Sequence, residues 1–245
     1  MIRDVLTVAW KEWRELMSLS GGARGGRLSL VILLAVFGVL LPLQSGADWV
    51  RSATTVFYWA WVPLMLVGNA IADAIAGERE RHTLETLLAS RLPDPAILLG
   101  KVLAAVSYGW GLVMGMLLLS LVTVNMSARS DGLLLFPARI AVGAPLLALL
   151  GAGLAAAAGV LVSLRAATVR HAAQALSVGI LLLIFVPVFL AESMPDAWKA
   201  RAASWLMTAG ADRIAWSAAA GLAGLDLALM GLALARFRRV RLIVD

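Results

Sequence analysis

Six stretches of this chain carry almost no charge, and each is long enough to cross a bilayer. Twenty uncharged residues lie between Arg27 and Asp48, and 21 between Arg51 and Asp73. Lys101 to Arg129 encloses 27, Arg139 to Arg165 encloses 25, and His171 to Glu192 encloses 20. The last, between Arg213 and Arg236, runs for 22 residues with Asp226 as its single charge. A hydrocarbon core about 30 Å thick is crossed by about 20 residues of apolar helix. Inside it every backbone amide must find its partner within the protein, which leaves helices and closed barrels. Barrel strands alternate over only about 10 residues, and these windows are longer. The expected fold is an all-α integral membrane protein, one transmembrane domain over residues 1–245 with six spans.

Other classes fall on composition. The chain has no cysteine, which excludes disulfides, thiolate catalysis and Cys-ligated metals. A net charge of +6 and a pI near 10.7 could suggest nucleic acid, but no compact basic face lies outside the membrane to bind it. The charge has a simpler destination in topology. With both termini inside, the N-terminal segment holds Arg3, Lys11, Arg14, Arg24 and Arg27, and the loop after span 2 holds Arg79, Arg81, Arg91 and Lys101. The loop after span 4 adds Arg165 and Arg170, and the C-terminus adds Arg236, Arg238, Arg239 and Arg241. That places 15 Lys and Arg inside against 6 outside, the bias expected of cytoplasmic loops. The expected topology is N-in and C-in, in a bacterial cytoplasmic (inner) membrane.

Residues 1–20 are interrupted by charge throughout, unlike a signal peptide. Leu6, Trp10, Trp13 and Met17 recur at helical spacing, with Lys11, Glu12, Arg14 and Glu15 on the other side. Two indoles beside basic residues suit a helix lying in the headgroup layer, and the glycines from Gly21 to Gly26 break it before span 1. The expectation is an amphipathic elbow helix with Trp10, Trp13 and Arg14 at the interface.

The most informative segment, residues 77–96, follows span 2. Span 2 is expected to continue as helix through Glu78-Arg79-Glu80-Arg81. Thr83 then caps a short helix whose Leu84, Leu87, Leu88 and Arg91 share a face, and Pro93 and Pro95 end it. A short helix with an apolar stripe and a charged flank suits either docking to a cytosolic partner or lying on its own membrane.

The run Gly77-Glu-Arg-Glu-Arg-His-Thr-Leu-Glu-Thr-Leu-Leu-Ala89, followed by Ile97-Leu-Leu-Gly-Lys101, resembles the signature of ABC-2 type permeases, the membrane subunits of a class of ATP-binding-cassette exporters. The family usually reads Glu-x-Glu-x-Gly-Thr-Leu-Glu-x-Leu-Leu, then Ile-Leu-Leu-Gly-Lys. Glu78, Glu80, Thr83, Leu84, Glu85, Leu87 and Leu88 match, whereas His82 replaces the usual Gly, from which a tighter helical turn is expected here. The resemblance implies a type V exporter-like fold and a coupling helix that sits in a groove of an ATPase subunit. It assigns docking to Leu84, Leu87, Leu88 and Arg91. Glu78, Glu80, Arg81 and Glu85 become candidates for ion pairs with the ATPase or the elbow helix. It further implies two ATPase copies carrying ATP and Mg, and a second permease copy or a paralogue, with no cofactor on this chain.

The chain lacks a phosphate loop. Its one Gly-Lys, Gly100-Lys101, has Pro95 at the first-Gly position and Val102 where a hydroxyl is required. It also lacks His-Glu-x-x-His and Gly-x-Ser-x-Gly, so a transport subunit is expected in place of an enzyme. An ionisable group within a span is costly, so Asp226 is a candidate for the translocation path, or for a structural pair with an Arg such as Arg165. Asn69 and Asp73 close span 2, where structural roles weigh more, and Asn69 is a second path candidate. Gly111-x-x-x-Gly115 and the stretch from Gly151 to Gly159 favour close helix packing. Phe57, Tyr58, Trp59 and Trp61 suit an interfacial belt or, in a sugar exporter, a stacking surface. Residues 192–213 read as an extracellular loop with short surface or re-entrant helices. The alternative function is an ion-coupled secondary transporter, or a membrane assembly factor without an ATPase.

Overall fold

The computed structural model describes residues 1–22, 24–52, 55–82, 91–127 and 132–237. Among the described residues each charge-free window is mostly helix, because an apolar segment in lipid can satisfy its amides only along its own axis. α1 (Ile2–Gly22) comes first. Span 1 is α2 (Arg24–Ala35), a π-helical turn at Val36–Leu40 and α3 (Leu41–Ser45). Gly46, at φ 56°, turns the chain into the short α4 (Ala47–Arg51). Span 2 is α5 (Thr55–Ala72), a second π turn at Asp73–Gly77 and a last helical turn, α6 (Glu78–Glu80). Spans 3, 4 and 5 are α7 (Asp94–Ser127), α8 (Ala138–Ser163) and α9 (Val169–Ser193). A 14-residue helix, α10 (Asp196–Ala209), fills most of the 192–213 segment, and Gly210 at φ 78° leads into span 6 within α11 (Ala211–Arg236).

Spans 2, 3 and 4 form the interior, while spans 1, 5 and 6 keep most of their surface exposed. Lipid tails are as apolar as leucine, so close approach of small residues drives helix association in a bilayer. α8 supplies them: Ala144, Ala148, Ala152, Ala155 and Ala156 are fully or almost fully buried. Along it, a Cβ at Gly151 would come within 3.0 Å of the Ala60 carbonyl, and one at Gly159 within 2.9 Å of Ile71. The Gly151–Gly159 stretch therefore seats span 4 on span 2. At Gly111 and Gly115, by contrast, a Cβ meets nothing within 4 Å among the described residues of this chain. The first π turn has a visible cause: Gly38 presses on Leu119, and its carbonyl accepts from Thr123 Oγ1 at 2.8 Å.

At the end of the bundle that holds α3 and α4, Trp59 is fully buried against Trp49 and Phe37, and Tyr58 stacks on Trp49. Trp49 and Trp59 are packing inside the protein, so Trp59 belongs neither to a belt nor to a stacking surface, whereas Tyr58 is exposed. At the opposite end α7 outruns the bilayer. Its 34 residues extend about 51 Å at 1.5 Å per residue, and α1 lies against its first turns.

Candidate functional site

The site is the end of span 2, where four successive charged residues point in four directions because each helical step turns the side chain by about 100°. Glu78 faces α1 and α7. Its Oε1 lies 2.7 Å from Lys101 Nζ, and the same ammonium sits 2.9 Å from Glu12 Oε1. Lys101 is 1% exposed and Glu12 6%, so three helices share one buried charge cluster. Gly100 permits it: a Cβ there would lie 2.6 Å from Val8 and 3.0 Å from the Val5 carbonyl. Without a side chain at that point α1 settles onto α7, and Lys101 is sealed beneath it. Lys11 closes the cluster from outside, 3.3 Å from Glu12, 3.2 Å from Glu15 and 3.7 Å from Glu78. Burial alone would lower its pKa, but the neighbouring Glu12 and Glu15 outweigh burial and raise it above the ordinary 10.5.

Arg79 and Glu80 face the turn between spans 4 and 5. Arg79 donates from Nη2 to the Leu164 carbonyl and from Nη1 to the Ala166 carbonyl, both at 3.1 Å. Glu80 Oε2 accepts from the Val169 amide at 3.1 Å. One residue thus serves carbonyls of the turn just past α8, and the next serves an orphan amide that begins α9. Ala72 and Ala76 pack on Ala166 and Ala172 beneath these bonds, and only small side chains let the elements come this near. Arg81 turns back to Asp73, with Nη1 3.4 Å from Oδ1. A Cβ at Gly77 would crowd both partners, at 2.7 and 3.0 Å, so the glycine leaves room for that pair beside the π turn.

The helix then stops. His82 adopts φ 56°, the left-handed region usually left to glycine. The expected tighter turn is therefore wrong: histidine takes the backbone shape its position demands and ends the helix there. Thr83, Leu84, Glu85, Leu87 and Leu88 lie outside the described residues, and Arg91 is exposed just before α7.

α1 has two apolar stripes. Trp10 is 62% exposed, stacks on Trp13 at 6.4 Å and lies under the Arg14 guanidinium at 5.9 Å. Leu6, Trp13 and Met17 are exposed with it. Val8, Ala9 and Glu12 face the protein instead. Asp226 sits in span 6 against Gly153 of span 4, where a Cβ would come within 2.8 Å of its Oδ2. Gly153 is twelve residues, about 18 Å of helix, from Arg165, and among the described residues Asp226 forms no ion pair with it. Its Oδ1 is buried without a hydrogen-bond partner. Asn69 is exposed and donates to the Met65 carbonyl of its own helix at 3.0 Å.

Six helices long and apolar enough to cross a bilayer, with α1, span 2 and span 3 tied at one end by a buried charge cluster, define a multi-pass membrane protein with a braced terminal joint. Residues 29–209 match the family described as ABC-2 family transporter protein, and the chain belongs to that family. It is accordingly a membrane subunit of ABC transporters, a class that works with an ATPase partner. No curated protein matches the chain.

Proposed function

We propose that this chain is the permease subunit of an exporter in a bacterial cytoplasmic membrane, with both termini inside. Two copies, or one copy with a paralogue, would assemble with two ATPase subunits that carry ATP and Mg. Residues 77–96 serve as the coupling segment and α1 as the elbow helix. The observation that carries the reading is the joint at Glu78–Arg81, which ties α1, span 3 and the span 4–5 turn to span 2 just before residues 83–90. A push received on those residues reaches four elements through ion pairs and hydrogen bonds, and a rigid joint transmits displacement where a loose loop absorbs it. Leu84, Leu87, Leu88 and Arg91 provide the docking face, with Glu85 fixing register by charge.

The test is co-purification. The chain is expressed together with its genomic neighbours, extracted in mild detergent and assayed for a bound ATPase, as wild type and as Leu87→Asp and Glu85→Lys. The reading predicts a stable complex for the wild type, with loss of binding or of transport in the variants. Wild-type protein that purifies alone and transports with ATP depleted would sink it. Asp226, with its unpartnered Oδ1 inside span 6, favours the ion-coupled alternative in that event.

A further inference from the structure

A cavity of about 420 Å³ opens between the ends of spans 4, 5 and 6, on the same side of the bundle as the span 2 joint. Its rim carries Arg165, His171 and Arg236, and its interior is lined by Leu161, Val162 and Ala175. The order of these residues along the helices sets their depth. Arg165 lies two residues past the end of α8, His171 lies in the first turn of α9, and Arg236 ends α11. Leu161, Val162 and Ala175 lie about one turn farther into the spans. The two guanidiniums therefore sit at headgroup level and apolar side chains at the level of the acyl chains. Among the described residues neither Arg165 nor Arg236 has a carboxylate partner, although elsewhere at this end of the bundle Arg81, Lys11 and Lys101 are all paired.

We propose that this cavity binds an anionic phospholipid of the adjoining leaflet, its phosphate between Arg165 and Arg236 and an acyl chain along Leu161, Val162 and Ala175. Guanidinium forks match phosphate oxygens in two-point contacts, and basic pockets between spanning helices suit such headgroups. A water-soluble phosphate would use the rim and leave the apolar interior unfilled. The site also adjoins the joint, because Arg79 and Glu80 hold residues 164–169 and Arg165 lies within that turn. A bound lipid then braces from outside the turn that span 2 grips from within. The inference requires only that the chain spans a membrane, so it can fail while the exporter reading stands.

The absence of cysteine allows a clean probe. Ala175, exposed at the cavity wall, is replaced by Cys in the full-length protein, labelled with bimane and titrated in detergent with phosphatidylglycerol or phosphatidylcholine carrying brominated acyl chains. Each Arg near an anionic headgroup should contribute a factor of about 5. Phosphatidylglycerol should therefore quench at roughly 25-fold lower mole fraction, and Arg165→Gln with Arg236→Gln should abolish the preference. Equal quenching by the two lipids overturns the proposal, and that comparison needs no cation variant to fold. Displacement of phosphatidylglycerol by millimolar inorganic phosphate also overturns it, in favour of a soluble anion.

Discussion

Lys101→Met isolates the charge in the buried cluster, because methionine keeps most of the apolar stem and removes the ammonium. In the wild type that ammonium lies between Glu78 and Glu12 at 2.7 and 2.9 Å and is 1% exposed. Its loss leaves two carboxylates with Lys11, which is 48% exposed and stands 3.3 and 3.7 Å away. Removing one partner of a buried ion pair costs about 3–5 kcal/mol. Lys11 still offsets some of this, so about 2–4 kcal/mol should be lost from the seating of α1 on α7. At about 1.4 kcal/mol per factor of ten, amide exchange across Val5–Leu16 should quicken about 30- to 700-fold if α1 opens as a local unit. The assay is hydrogen exchange in detergent, followed by mass spectrometry of the α1 peptides. Lys101→Met with Glu12→Gln and Glu78→Gln leaves only neutral groups at the centre and should recover most of the protection. A change below about threefold in the single variant would refute the reasoning, as would a triple variant no better protected than the single.

Arg79→Ala removes two charge-assisted bonds to carbonyls and should cost about 1–3 kcal/mol, given partial exposure, seen as faster exchange confined to residues 164–169. Gly100→Ala places a methyl 2.6 Å from Val8 and 3.0 Å from a carbonyl, and should lower stability by about 1–3 kcal/mol through overpacking; thermal melting in detergent measures it. Lys11 has a raised pKa in the folded protein, so its contribution is complete below 10.5 and lost as pH climbs through the folded value. Melting temperatures of wild type and Lys11→Met should differ equally at pH 7 and pH 9 and converge only above 10.5; convergence between pH 6 and 8 would contradict the assignment.

The spans were legible because charge is excluded from hydrocarbon, and a gap in the charge pattern maps directly onto a helix. The direction of a charge at a helix end was not legible in the same way. Glu12 reads as part of the polar side of α1, yet it interrupts a second apolar stripe, Val5, Val8, Ala9 and Leu16, and that interruption is the signal that could have marked it as facing protein. Lys101 reads as a boundary residue because the window merely starts after it. Its burial depends on Gly100 and on α1 folding back across it, a contact between positions 89 residues apart in sequence. Arg79 was passed over in favour of Glu78, Glu80 and Arg81, since nothing local tells that its partners are backbone carbonyls beyond span 4. His82 shows the reverse case: a position can require left-handed backbone even when its residue is not glycine.

The central claim is that the end of span 2 passes ATPase motion to the membrane through its ion pairs and hydrogen bonds. The direct test is the ratio of substrate moved to ATP hydrolysed, measured in proteoliposomes for the wild-type complex and for Arg79→Ala with Lys101→Met. The account predicts that the variant keeps its bound ATPase and its hydrolysis while transport per ATP falls at least tenfold. An unchanged ratio in a complex that remains assembled would contradict it.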